Sequence, residues 1–128
     1  MDDELAVRSL CQRILERYGF RVVTARHGRE AIDAVAAAVK EQDPFHLVIL
    51  DLTVPGDMGG EEAFARIKLL DPEVRGVVSS GYSSSEVMAE FREHGFVSVF
   101  PKPYRADDLV QMVLTHARPI GQAPSSAG

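Results

Sequence analysis

Between His46 and Gly60 the chain reads HLVILDLTVPGDMGG, and this stretch constrains the fold more than any other. Leu47, Val48, Ile49 and Leu50 form a short unbroken apolar run, the pattern of a strand buried on both faces of a parallel sheet. Asp51 ends the run with an ionisable group. Pro55, Gly56, Gly59 and Gly60 then forbid a continuing strand and open a loop before the next helical pattern at Glu61. In an open α/β sheet, ligands bind in the crevice at the carboxyl ends of the strands, which places Asp51 at the reactive edge. A lone Asp at a strand end also serves as a plain turn cap, so the rest of the chain has to decide between the two.

The flanking pattern alternates. From Glu4 to Tyr18 the apolar residues Val7, Leu10, Cys11, Ile14, Leu15 and Tyr18 recur at three- and four-residue spacing, an amphipathic helix stopped by Gly19. Phe20 to Ala25 reads as a short β-branched strand. A second helix follows His27 and Gly28, with Ala31, Ile32, Val35 and Val39 inward, and ends before Pro44. A third runs from about Glu61 to Leu70 with Phe64, Ile67 and Leu70 inward, terminated by Asp71 and Pro72. Val74 to Ser79 is the next strand, leading into Ser80, Gly81 and Tyr82, and Ser83 with Glu86 has capping-box spacing for a fourth helix carrying Val87, Met88 and Phe91. Gly95 breaks that helix. Phe96 to Phe100 is a strand ending in Pro101, Lys102 and Pro103, and a last helix from about Arg105 to His116 carries Leu109, Met112 and Val113 on one face. Strands alternating with helices imply an α/β fold with a parallel sheet and right-handed crossovers. The tail from Arg118 has no periodicity, so residues 1–117 are expected to form one domain and 118–128 a flexible tail.

Composition narrows the function. Fourteen Lys and Arg against nineteen Asp and Glu leave a net charge of -5, which argues against a nucleic-acid surface. No run reaches the roughly 18 apolar residues of a membrane span, and the acidic opening Asp2, Asp3, Glu4 is unlike a signal peptide. The single Cys11 rules out an internal disulfide and suits a reducing, cytoplasmic setting; on the apolar face of the first helix it reads as a buried structural thiol. His27, His46, His94 and His116 share no ligand spacing, and the last two, near helix C-termini, suit the dipole there. Ser83 to Ser85 are explained by capping, and Asp57 reads as a solvated turn residue.

Four elements place polar groups at strand ends: Asp2 and Asp3 before the first helix, Asp51, Ser80 and Lys102. In a parallel sheet these share one edge. Three carboxylates a few ångströms apart repel unless a cation sits among them. Mg²⁺ is the natural one, a hard ion held by one or two carboxylates with waters and phosphate oxygens completing an octahedron. A hydroxyl and an ammonium beside it furnish the edge to bind and neutralise a phosphoryl group attached to a carboxylate.

These residues resemble the receiver domains of two-component response regulators, from MDDELAVR through VILDLTVPGDMGG and VVSSGYS to FPKPY, with four motifs agreeing in order. The wording is most similar to the C-terminal receiver of hybrid sensor histidine kinases. The resemblance implies a flavodoxin-like, three-layer fold with a sheet of order 2-1-3-4-5. It implies that Asp51 is the phosphoacceptor, taking its phosphoryl group from the phosphohistidine of a histidine kinase or histidine phosphotransfer domain. Asp2, Asp3, Asp51 and the backbone carbonyl of Thr53 would hold Mg²⁺, Ser80 would hydrogen-bond the phosphoryl oxygens and Lys102 would pair with them. The Lys102–Pro103 bond would be cis. Tyr82 and Thr53 match positions that tune phosphoryl lifetime in the family. A homodimer through the fourth helix, the strand at Phe96–Phe100 and the last helix is the self-association the resemblance allows, and any membrane link would run through a parent sensor kinase.

Two departures accompany the match. Val99 stands where the family usually carries an aromatic switch residue, so coupling from Ser80 to the output face is expected to rest on backbone shifts. The family also has a first, central strand of about four apolar residues before the acidic pair, whereas Met1 alone stands there. The reading is therefore that Met1 is internal to a longer protein, such as a hybrid kinase, or a mis-started chain, with the neighbouring strands short of a partner. By itself such a domain is a phosphoacceptor and no enzyme. Two alternatives compete with it. A Mg²⁺-dependent phosphatase of the haloacid dehalogenase type also uses a strand-end Asp but needs a second Asp two residues on, where this chain has Thr53. A pseudo-receiver would keep the fold without turnover, against which all five site residues are present.

Overall fold

The computed structural model describes residues 1–52, 58–80 and 90–117, with Ser80 described through its backbone alone. In chain order these form α1 (Leu5–Arg17), α2 (Gly28–Lys40), β1 (Leu47–Asp51), α3 (Gly60–Leu70), β2 (Arg75–Ser80), β3 (Ser98–Pro101) and α4 (Ala106–His116). The strands are parallel and ordered β1-β2-β3, with Asp51 opposite Ser79 and Ser79 opposite Phe100. Parallel pairing brings the carboxyl ends of all three to one edge. Thr53, Asp57, Tyr82, the Ser83–Glu86 capping box and the tail from Arg118 lie outside the described residues.

Side chains alternate across the strands and build a core on each face of the sheet. Leu50 and Val78 join Phe64 and Ile67 of α3, Ala31 and Val35 of α2, and Phe96 on one side. Val77 joins Leu15 of α1 and Leu109, Met112 and Val113 of α4 on the other. Three layers result. Phe64 stacks on Phe96 with centroids 4.5 Å apart, and its ring fits only because position 76 is glycine, where a Cβ would stand 2.4 Å from the ring. Gly19, at a φ of 91°, ends α1 as the sequence predicts, and Gly95, at 88°, closes a turn at 91–95; most of the helix expected ahead of Gly95 lies outside the described residues.

Several expectations need correction. Phe20–Ala25 forms no strand. A strand exists through its partners, and this segment's backbone bond toward the sheet is Asp2 N–H to the Ala25 carbonyl, 3.0 Å. Met1 completes a two-residue link on the other side: its amine donates to the Ile49 carbonyl at 2.6 Å and its carbonyl accepts from Asp51 N–H at 2.9 Å. Below this link a groove of ≈ 200 Å³ opens between 20–25 and β1, lined by Leu15, Phe20, Val22, Leu47 and Ile49 among others. Because the groove is open, Leu47, Val48 and Ile49 are half-buried where burial on both faces is expected, and only Leu50 and Asp51 are fully enclosed. The apolar face of α1 is likewise half-buried, with Leu15 alone enclosed and Leu10 and Tyr18 exposed. In α2 the buried stripe runs through Ala31, Val35 and Ala38 and leaves Val39 exposed; in α3 Leu70 is exposed at the last turn.

Candidate functional site

The site is built where β1 stops. Asp51 is the last residue of β1, 4% exposed, its amide held by Met1. The start of α3 packs directly against this strand end, and a Cβ at Gly60 would lie 2.5 Å from the Asp51 carbonyl oxygen. Glycine is therefore required for α3 to begin here. Asp2, 5% exposed, is fixed from three directions: its Oδ1 accepts from Glu4 N–H at 3.0 Å, its carbonyl accepts from the Arg8 guanidinium at 2.8 Å, and its amide reaches Ala25. Asp3 beside it is exposed. Single carboxylate oxygens of Asp2, Asp3 and Asp51 all lie within 4.8 Å of one another.

Lys102 comes from the turn after β3, where the Lys102–Pro103 bond is cis as expected. Its Nζ stands 2.6 Å from Asp2 Oδ2 and 3.2 Å from Asp51 Oδ2, with Glu4 Oε1 at 4.0 Å. The contact with Asp51 is a hydrogen bond; the closer approach to Asp2 Oδ2 is an ion pair without hydrogen-bond alignment, leaving that buried oxygen short of a bonded donor. Burial pushes the ammonium toward its neutral form, but the contact with Asp2 and the charges of Asp51 and Asp2 outweigh it, and its pKa is raised. Lys102 is a permanent cation here.

The oxygens suit a hard divalent ion. Ligands of an octahedral Mg²⁺ stand about 3 to 4.2 Å apart at the usual bond length, inside the 4.8 Å within which the three carboxylate oxygens lie, and Asp2 Oδ2 supplies a buried acceptor with lone pairs to spare. The structure thus brings together four of the residues singled out from sequence: Asp2, Asp3, Asp51 and Lys102. The backbone of Ser80 lies one position past Ser79, which faces Asp51 across the ladder, and Thr53 is outside the described residues. Val99, in place of an aromatic, packs against the first core.

Sequence reasoning missed three contributors. Glu4 and Arg8 brace Asp2 from the first turn of α1, and the hydroxyl of Tyr104 is hydrogen-bonded to Ser79. Of the first two only Arg8 carried a readable signal, a long basic side chain six positions after Asp2, because Glu4 acts through its backbone N–H. The bond of Tyr104 to Ser79 joins residues 25 apart on different elements, and spacing says nothing about it.

The profile of the response regulator receiver domain matches residues 1–114. The chain belongs to the receiver-domain family. Sporulation initiation phosphotransferase F of Bacillus subtilis is 30% identical over 109 residues, covering 85% of this chain and 83% of that protein. Transcriptional regulatory protein ZraR of Klebsiella oxytoca is 27% identical over 133 residues, covering 98% of this receiver but with only 29% of its own length spanned. Among solved structures, a CheY-like receiver domain protein from Methanospirillum hungatei superposes with a TM-score of 0.78 at 26% identity, covering 89% of this chain and 86% of that one. The receiver is thus a signalling module of two-component systems, a family of phosphoacceptors, with the layered parallel α/β architecture anticipated from its sequence. Among the described residues no helix is long and apolar enough to cross a membrane.

Proposed function

We propose that Asp51 is the phosphoacceptor of this receiver, taking a phosphoryl group from the phosphohistidine of a histidine kinase or histidine phosphotransfer domain. The observation that carries the reading is the placement of Lys102 Nζ, 2.6 Å from Asp2 and 3.2 Å from Asp51, at a strand-end crevice where a third carboxylate also converges. In the transfer an Asp51 Oδ attacks phosphorus, the phosphorus–imidazole nitrogen bond breaks and the histidine leaves with the electron pair. The attacking oxygen belongs to a carboxylate already held in place, so the entropic cost of alignment is met before the donor arrives. Lys102 offers its charge to the phosphoryl oxygens as they come within reach, easing their approach to an acidic site.

Asp2, Asp3, Asp51 and the Thr53 carbonyl would hold Mg²⁺, which when bound neutralises charge on the transferring group. The Ser80 hydroxyl is assigned to a phosphoryl oxygen; its support is the β2 register, which sets Ser79 opposite Asp51 and Ser80 one step further toward the same edge. Phosphorylation then switches protein contacts in a phosphorelay, in a cytoplasmic setting. The test is incubation with acetyl phosphate and Mg²⁺, read by intact mass. The native chain is expected to gain one phosphoryl group and folded Asp51→Asn none; uptake by the variant would refute the assignment.

A further inference from the structure

Beside the proposed site lies a polar pair that phosphoryl transfer does not use, the buried Ser79 and the half-buried Tyr104. Ser79, 1% exposed, is the residue of β2 directly opposite Asp51, and Leu52 N–H donates to its carbonyl at 2.8 Å. Its hydroxyl is hydrogen-bonded to that of Tyr104. Tyr104 follows Lys102 by two residues. Its ring stacks on Phe100, centroids 4.7 Å apart, and Phe100 in turn pairs with Ser79 across the ladder. The segment from Pro101 to Tyr104 is therefore fastened at both ends: Pro101 by its register with Ser80, Tyr104 by a stack to β3 and a hydroxyl bond to β2. Between those fastenings Lys102 spans to Asp51 and Asp2.

We infer that Tyr104, through Ser79, is a positioning residue for Lys102, holding its ammonium over Asp51 during phosphoryl transfer; the inference rests on the reading of Asp51 as acceptor. A long lysine side chain has many rotamers, and whatever fixes its base narrows where its ammonium goes. A buried serine hydroxyl could have been satisfied by a backbone carbonyl of its own strand, whereas here it is satisfied by the one turn that carries the site's cation. Burial also keeps the phenol protonated, its pKa pushed up to about 12, so the bond persists across the working range.

Tyr104→Phe keeps the ring stack and deletes the hydroxyl, and Ser79→Ala deletes the other half. Each is expected to slow phosphoryl uptake from acetyl phosphate about fivefold, the worth of one net hydrogen bond, with both together no slower than either alone. A structural role would give the same rates, so the second readout is the ¹³C relaxation of the Lys102 ε-methylene in the unphosphorylated chain. The expected result is a drop in its order parameter in Tyr104→Phe while the amides of α4 keep theirs. Unchanged uptake, or slowed uptake with Lys102 as ordered as in the native chain, overturns the proposal. An Asp51→Asn control that still takes up phosphate fails the acceptor assignment instead, and the relaxation data continue to judge the positioning of Lys102.

Discussion

Replacing Lys102 by Met keeps most of the aliphatic stem and removes the charge, which isolates what the ammonium does for the two carboxylates beneath it. The three side chains are 16%, 7% and 6% exposed for Lys102, Asp2 and Asp51, so solvent offers little substitute. At an effective dielectric constant of about 20, unit charges at the observed 2.6 and 3.2 Å attract by roughly 6 and 5 kcal/mol before desolvation is subtracted. Removing one partner of a buried pair costs about 3–5 kcal/mol in practice. The expected loss is therefore about 3–5 kcal/mol, a large part of the roughly 5–15 kcal/mol that holds a domain folded. Urea unfolding followed by circular dichroism, in EDTA and again in millimolar Mg²⁺, reads it directly. If the carboxylates form a cation site, Mg²⁺ restores the missing charge and the gap between variant and native shrinks to about 1 kcal/mol. An equal gap in both buffers would refute the reasoning and assign the loss to packing of the lysine stem.

Other perturbations follow from the same geometry. Asp3→Ala removes the exposed member of the carboxylate set, so isothermal titration should find Mg²⁺ binding at least about tenfold weaker, about 1.4 kcal/mol, with the unfolding midpoint in EDTA nearly unchanged. Gly76→Ala drives a methyl into the fully buried Phe64 ring and should cost about 1–3 kcal/mol; adding Phe64→Leu should recover part of that cost, and strict additivity in urea unfolding would argue against the clash. Burial raises the Cys11 thiol to about 11, so its alkylation by iodoacetamide at pH 8 should run on the order of a hundredfold slower than that of a free thiol and accelerate as pH rises toward that value.

The strand-end logic of the site was legible because each residue sits next to a breaker: Asp51 before a Pro/Gly loop, Lys102 between two prolines, the acidic pair ahead of a helix. Such signals are local, and locality is what a sequence displays. The misreadings have a common origin in partners. Phe20–Ala25 has strand composition, yet a strand needs a neighbour along its length, and composition does not report one. Val39 lies one position off the buried stripe of α2, a 100° error that a three- or four-residue count cannot detect. Ser79 was passed over because it stands beside the more obvious Ser80, and only the pairing of β2 with β1 shows that it is Ser79 that lies opposite Asp51.

The groove beside β1 has a practical bearing on how the protein is handled. Met1 already donates and accepts in the pattern of a parallel rung between Ile49 and Asp51, so its nitrogen points along the slot and away from solvent. Any residues fused ahead of it are led into an apolar channel lined by Leu47, Ile49, Phe20 and Val22. A polyhistidine tag placed there would lay polar side chains against that lining and strain the acidic pair, Asp2 and Asp3, that follows Met1 directly. Whatever is joined ahead of Met1 becomes, for this chain, a neighbour of β1.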